Sequence, residues 1–125
     1  MPTGFDTETG AALSPKLSGF VEKLGFWLRA RRDRDEDPRE IGAAGIIEYA
    51  RQFHHIDLKD SDVRAMVNHL RRTKRPVASS ASGYFWAVNH QELRPTLEHL
   101  YQRISAMAQA ADGLKYAEFG EPRLL

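Results

Sequence analysis

With 125 residues, 42% of them hydrophobic and 28% charged, the chain has the composition of one globular domain with a modest core, and not that of a disordered or fibrous sequence. It contains no cysteine, which removes disulfides, thiolate metal sites and cysteine nucleophiles, and its longest apolar run, residues 41–47, includes two glycines and is far too short to span a bilayer. The formal net charge is only +1, and the opening MPTGFDTETG lacks the basic start and apolar stretch of a secretory signal, so a soluble, cytoplasmic protein without a membrane partner is the expectation.

Residues 1–13 carry few large apolar groups and read as a flexible arm, followed by a domain over 14–111 and a tail over 112–125. Ser14-Pro15 is a good helix start, a capping hydroxyl followed by a proline in the first turn. Leu17, Phe20, Val21, Leu24, Trp27 and Leu28 then give one apolar face up to about Ala30, and the charged residues 31–37 read as a solvated loop. A second helix starts either at Asp37-Pro38 or, after a short edge strand at Ile41, near Ala43, with Ala44, Ile47, Ala50 and Phe53 as its stripe. HHIDLKD (54–60) is a connection anchored by Ile56 or Leu58. Val63, Met66, Val67 and Leu70 next form an inward stripe at i, i+3, i+4 and i+7. Pro76 ends that helix, and VASSASGYFWAV reads as two short strands, 77–79 and 84–88, joined by a small turn. Asn89 to Glu92 has the pattern of a capping box for a last helix that Pro95 bends or restarts and that Asp112-Gly113 ends. Its apolar positions, Leu93, Leu97, Leu100, Ile104, Met107, Ala111 and Leu114, alternate in steps of four and three as in a heptad seam.

Charge is distributed unevenly along this order. From 59 to 94 there are seven basic side chains (Lys59, Arg64, Arg71, Arg72, Lys74, Arg75 and Arg94) against three acids (Asp60, Asp62 and Glu92), a local +4 that leaves −3 for the rest of the chain. Such a molecule presents a directional field whatever its total charge.

The succession of helix, optional strand, helix, turn, helix, hairpin and helix resembles a winged helix-turn-helix domain over roughly 41–88, a mostly α fold with a small β-hairpin and additional N- and C-terminal helices. The stretch DSDVRAMVNHLRRTKRPVASSASGYFWA is similar to small winged-helix proteins of bacteria and phages, in which a VR..(I/V)..LR helix precedes a proline-initiated hairpin ending in GY. Val63-Arg64, Val67, Leu70-Arg71, Pro76 and Gly83-Tyr84 carry that pattern here, whereas the longer connection 54–60 and the glycine-bearing second helix depart from it.

The resemblance implies that residues 60–73 form a recognition helix for the major groove of double-stranded DNA and 77–88 a wing, in a small transcription regulator or a phage or bacterial DNA-handling accessory. Arg64 matches guanine O6/N7 and Asn68 matches adenine N6/N7, and Ser61 and Ala65 are small enough to permit close base contact. Lys59, Arg71, Arg72, Lys74 and Arg75, with the wing hydroxyls Ser80 and Ser82, are the expected phosphate contacts. The heptad helix would form a homodimer through Leu93, Leu97, Leu100, Ile104 and Met107. The alternative is an interaction module of the same fold that uses the aromatic strand Tyr84-Phe85-Trp86 and the heptad helix. The five histidines lack metal-binding spacing, and neither a nucleophile triad nor a glycine-rich phosphate loop can be assigned, so no catalysis and no cofactor are expected.

Overall fold

A computed structural model describes residues 13–119, so the expected arm lies outside the described residues apart from Leu13, as do residues 120–125 of the tail. Helix α1 spans Pro15–Asp33. The Ser14 side chain accepts the Leu17 backbone N–H at 3.4 Å, and Leu17, Phe20, Val21, Leu24 and Leu28 are buried along one face. The helix runs three residues past Ala30, where the sequence suggested a loop. Its last arginines find partners across the fold: Arg31 Nη2 donates to Pro38 O at 2.8 Å, and Arg32 Nη1 donates to Trp86 O at 2.7 Å.

Helix α2 spans Ala43–His54, the later of the two starts weighed from the sequence. Ile41 lies before it as a single bridge residue, exchanging two backbone hydrogen bonds of 2.8 Å with Tyr84. Of the expected stripe, Ala50 is buried and Ile47 is half-buried against the core, and Ile46, which lies outside it, is buried as well. Ala44 is exposed and Phe53 is 65% exposed. Beside the buried face the half-buried Tyr49 stacks its ring on Trp27 of α1 at 3.8 Å with the planes 4° apart, and the helix packs on α3. His55 takes a left-handed conformation at the end of α2 (φ 55°), and the chain then reaches α3 with Ile56 half-buried and Leu58 buried.

Helix α3 spans Asp60–Arg72 and packs on α1 and α2 through Val63, Met66, Val67 and Leu70, all at most 2% exposed, as the periodicity predicts. The hairpin follows as β1 (Val77–Ser80) and β2 (Gly83–Trp86), antiparallel with Val77 opposite Trp86 and Ser80 opposite Gly83. Gly83 has φ +133° and lies so close to the Ile41–Gly42 backbone that a Cβ there would stand 2.6 Å from Ile41 O. A glycine is required for the bridge to form. The alternation of β2 sends Phe85 into a small second core with Ala78, Ala87 and Leu93, while Tyr84 and Trp86 border the main core.

Helix α4 spans His90–Lys115, with the Glu92 N–H donating to Asn89 Oδ1 at 2.9 Å. It continues through Pro95 and beyond Gly113 instead of stopping at Asp112-Gly113. The chain divides into two compact units, one ending at Leu93 and the other beginning at Arg94, so the first turn of α4 belongs to the first unit. The first unit is a mostly helical fold with one hairpin, in the element order of a winged helix-turn-helix. Among the described residues no helix is long and apolar enough to cross a membrane.

Candidate nucleic-acid interface

With Val63, Met66, Val67 and Leu70 turned inward, the opposite face of α3 is a stripe of exposed side chains, Ser61, Arg64, Asn68 and Arg72, one helical turn apart. Ala65 stands at its edge, half-buried against the core. The side chains of Arg64, Asn68 and Arg72 make no hydrogen bond or ion pair with another described residue. A guanidinium and a carboxamide one turn apart on a rigid helix each offer a planar fork of hydrogen-bonding groups to whatever this face meets.

The N-terminus of α3 is closed by a reciprocal pair: Lys59 N–H donates to Asp62 Oδ2 at 2.9 Å, and Asp62 N–H donates to Lys59 O at 3.0 Å. Asp62 also lies 3.5 Å from Lys16 Nζ, which donates to Asp57 O at 2.9 Å. Asp62 is therefore engaged in the cap and partly neutralised, while Asp60 at the start of the helix and the Lys59 side chain are exposed.

The cluster of expected phosphate contacts divides in two. Arg71 is half-buried, donating from Nε to Val77 O at 2.8 Å and from Nη2 to Ser79 Oγ at 3.2 Å, which fastens α3 to β1. Arg75 makes a two-pronged contact with Glu22 of α1, at 2.8 and 2.9 Å. That hydrogen-bonded guanidinium holds the Glu22 carboxyl below its usual range, and Glu22 in turn raises Arg75. Both arginines hold the hairpin to the helices. Arg72 and Lys74 by contrast are exposed, and Lys74 sits in a left-handed turn (φ 71°) between α3 and β1.

The wing turn is electrostatically different. Ser80 bonds the Glu40 carboxylate and also accepts the Ser82 N–H at 3.1 Å. Glu40 is held below its usual pKa first by the hydrogen bond from Arg39, 2.8 Å away, with Ser80 adding to the effect. The turn, Ala81-Ser82, is exposed and carries no cation. At the other end of the hairpin, Arg32 donates to both oxygens of Glu92, at 2.8 and 3.1 Å, and Glu92 Oε1 also accepts the Val88 N–H. Arg39 lies over the Phe85 ring at 3.8 Å.

Sequence reasoning missed these ties. Arg75 and Glu22 are 53 residues apart and Arg32 and Glu92 are 60 apart, so nothing local marks either pair. Among the described residues no group of three or more His, Asp or Glu side chains is placed to hold a metal ion. No protein-family model matches the chain, and no curated protein and no solved structure is detectably similar to it.

Proposed function

We propose that the protein binds double-stranded DNA, with α3 in the major groove, as a small transcription regulator or a DNA-handling accessory of a bacterium or phage. The observation that carries this reading is the unpartnered polar stripe of α3, set on a helix whose other face is locked into the core. Arg64 and Asn68 are the base readers, for guanine and adenine respectively, and Ser61 and Ala65 permit the backbone of α3 to approach the base edges. Lys59, Arg72 and Lys74 are the phosphate contacts. Arg71 and Arg75 have structural work to do, and the wing turn, with Glu40 bonded to Ser80, contributes little to the grip. A homodimer forms through the exposed seam of α4, in which Leu97 is 42%, Ile104 59% and Met107 69% exposed.

The test is a fluorescence-anisotropy titration with random-sequence duplex at low and near-physiological salt. Three phosphate contacts give a slope of log affinity against log salt of roughly −3 per protomer, twice that for a dimer on one duplex. Absence of binding at low salt overturns the reading. The alternative, a module for protein partners, would then rest on α4 alone, because Phe85 is buried and Tyr84 and Trp86 are half-buried against the core.

A further inference from the structure

We infer that α4 pairs with the α4 of a second copy of this chain in the antiparallel direction, so that Leu100 and Tyr101 of each helix lie on alanines of the other. The inference rests on the homodimer proposed above and supplies its polarity. From Leu97 to Lys115 every residue of α4 is exposed except Leu100, which is half-buried. The large apolar groups of this stretch include Leu97, Tyr101, Ile104, Met107 and Leu114, the last 80% exposed. A lone helix of this length with an uncovered apolar seam is marginal in water and gains most of its stability from packing.

Bulk is unevenly distributed along the seam and its borders. The first half carries Leu97, Leu100, Tyr101, Arg103 and Ile104, and the second half carries Ala108, Ala110 and Ala111 between Met107 and Leu114. The distance between packed helices is set by the side chains at each contact. A parallel pair in register would place Leu100 on Leu100 and Ala111 on Ala111, holding the helices apart at one layer and leaving a void at another. Reversing one helix, with Leu97 facing the partner's Leu114, sets Leu100 against the partner's Ala111 and Ile104 against the partner's Met107. Tyr101 then lies beside the partner's Ala108 and the stem of Arg103 beside the partner's Ala110. Leu100, Tyr101 and the stem of Arg103 each meet an alanine, Leu97 and Ile104 meet Leu114 and Met107, and all of these groups come from the same surface, which is the self-complementarity that a two-fold interface requires. Ile104 at one heptad position with Leu100 and Leu114 at the other also suits a parallel two-stranded coil; the alanines decide against it. The one approach of like charges, Arg94 with the partner's Lys115, falls at the wet ends of the pair, where screening weakens it. A contact from 97 to 114 is about 26 Å long and covers roughly 500 Å² per helix, which reaches the ~1,000 Å² total of a specific interface.

The chain has no cysteine, so the polarity can be read directly by cross-linking. Full-length Leu97→Cys and Leu114→Cys are prepared separately, mixed to exchange subunits and oxidised mildly. The expected product is a mixed disulfide between the two variants that neither forms by itself. Disulfides within each variant alone would overturn the polarity while leaving the dimer standing. A monomer mass for the unmodified chain in sedimentation would overturn the dimer itself, and a dimer mass with no cross-link would show that another surface pairs. Ala111→Leu provides a second reading on an exposed site that the fold does not depend on. Opposite Leu100 it overpacks the layer and weakens self-association by about tenfold or more, whereas in a parallel pair it fills the void and tightens it; tightening would overturn the inference.

Discussion

Replacing Arg71 and Arg72 by alanine, one at a time, should separate architecture from binding at two adjacent residues that the sequence does not distinguish. Arg71 donates to Val77 O and Ser79 Oγ at 2.8 and 3.2 Å from a half-buried position. A hydrogen bond from a charged donor contributes about 1.5–3 kcal/mol net, and partial exposure favours the lower end. Losing two such bonds therefore costs about 3 kcal/mol, or roughly 12–24 °C in Tm for a folded unit of this size. Arg72 is exposed and its side chain has no described partner, so Arg72→Ala should move Tm by no more than a degree or two while flattening the salt dependence of DNA binding by about 0.9 in log–log slope. Thermal melts followed by circular dichroism, together with anisotropy titrations at several salt concentrations, measure both quantities on the same samples. A stable Arg71→Ala that loses one phosphate contact, beside an Arg72→Ala that binds with an unchanged slope, would refute the division of the basic cluster.

Further outcomes follow from the same geometry. Asn68→Ala and Arg64→Ala should each lose about 1–3 kcal/mol of preference for a selected site over random duplex, with fold stability unchanged; equal losses on both duplexes would make them phosphate contacts instead. Glu92 is depressed below its usual value of 4.5 by Arg32, so its contribution to stability is fully present above a pH of about 4.5 and disappears as pH falls through the lower folded value. The acid-side decline in Tm should therefore be shallower in Glu92→Gln, and parallel declines in the two proteins would count against the pair. Gly83→Ala forces a left-handed residue and a Cβ against Ile41 O at 2.6 Å, which should cost on the order of 1–3 kcal/mol and strip hydrogen-exchange protection from the Ile41 and Tyr84 amides. Retained protection would mean that the bridge accommodates a side chain.

The two units place different demands on the chain. In the first, ion pairs and cation–ring contacts gather where the hairpin meets the helices: Arg75 with Glu22, Arg32 with Glu92, and Arg39 over Phe85. Cores this small gain little from area alone, and a hairpin of two four-residue strands is marginal by itself, so polar ties at its two ends hold the register that Ile41 and Gly83 set. In the second, the seam of α4 remains exposed in the single chain, and its stability becomes a matter of what covers it.

Local chemistry in the sequence determined the element order. The Ser14-Pro15 cap, the stripe Val63–Met66–Val67–Leu70 and the Pro76 break are each written within one or two turns of chain, where period and capping act without help from distant residues. The outward stripe of α3 follows by subtraction, since fixing one face of a helix fixes the other. Tertiary structure decided what each charged or aromatic residue does. The end of α1 moved beyond Ala30 because Arg31 and Arg32 found acceptors at Pro38, Trp86 and Glu92. In α2 the expected Ala50 is buried together with Ile46, while Tyr49 stacks on Trp27 and Phe53 stays in solvent. Of the basic run at 71–75, Arg71 and Arg75 were drawn into the scaffold while Arg72 and Lys74 stayed in solvent. A guanidinium in the sequence has the same charge whether it meets a carbonyl of its own chain or water, and only the positions of residues dozens of places away settle which it meets.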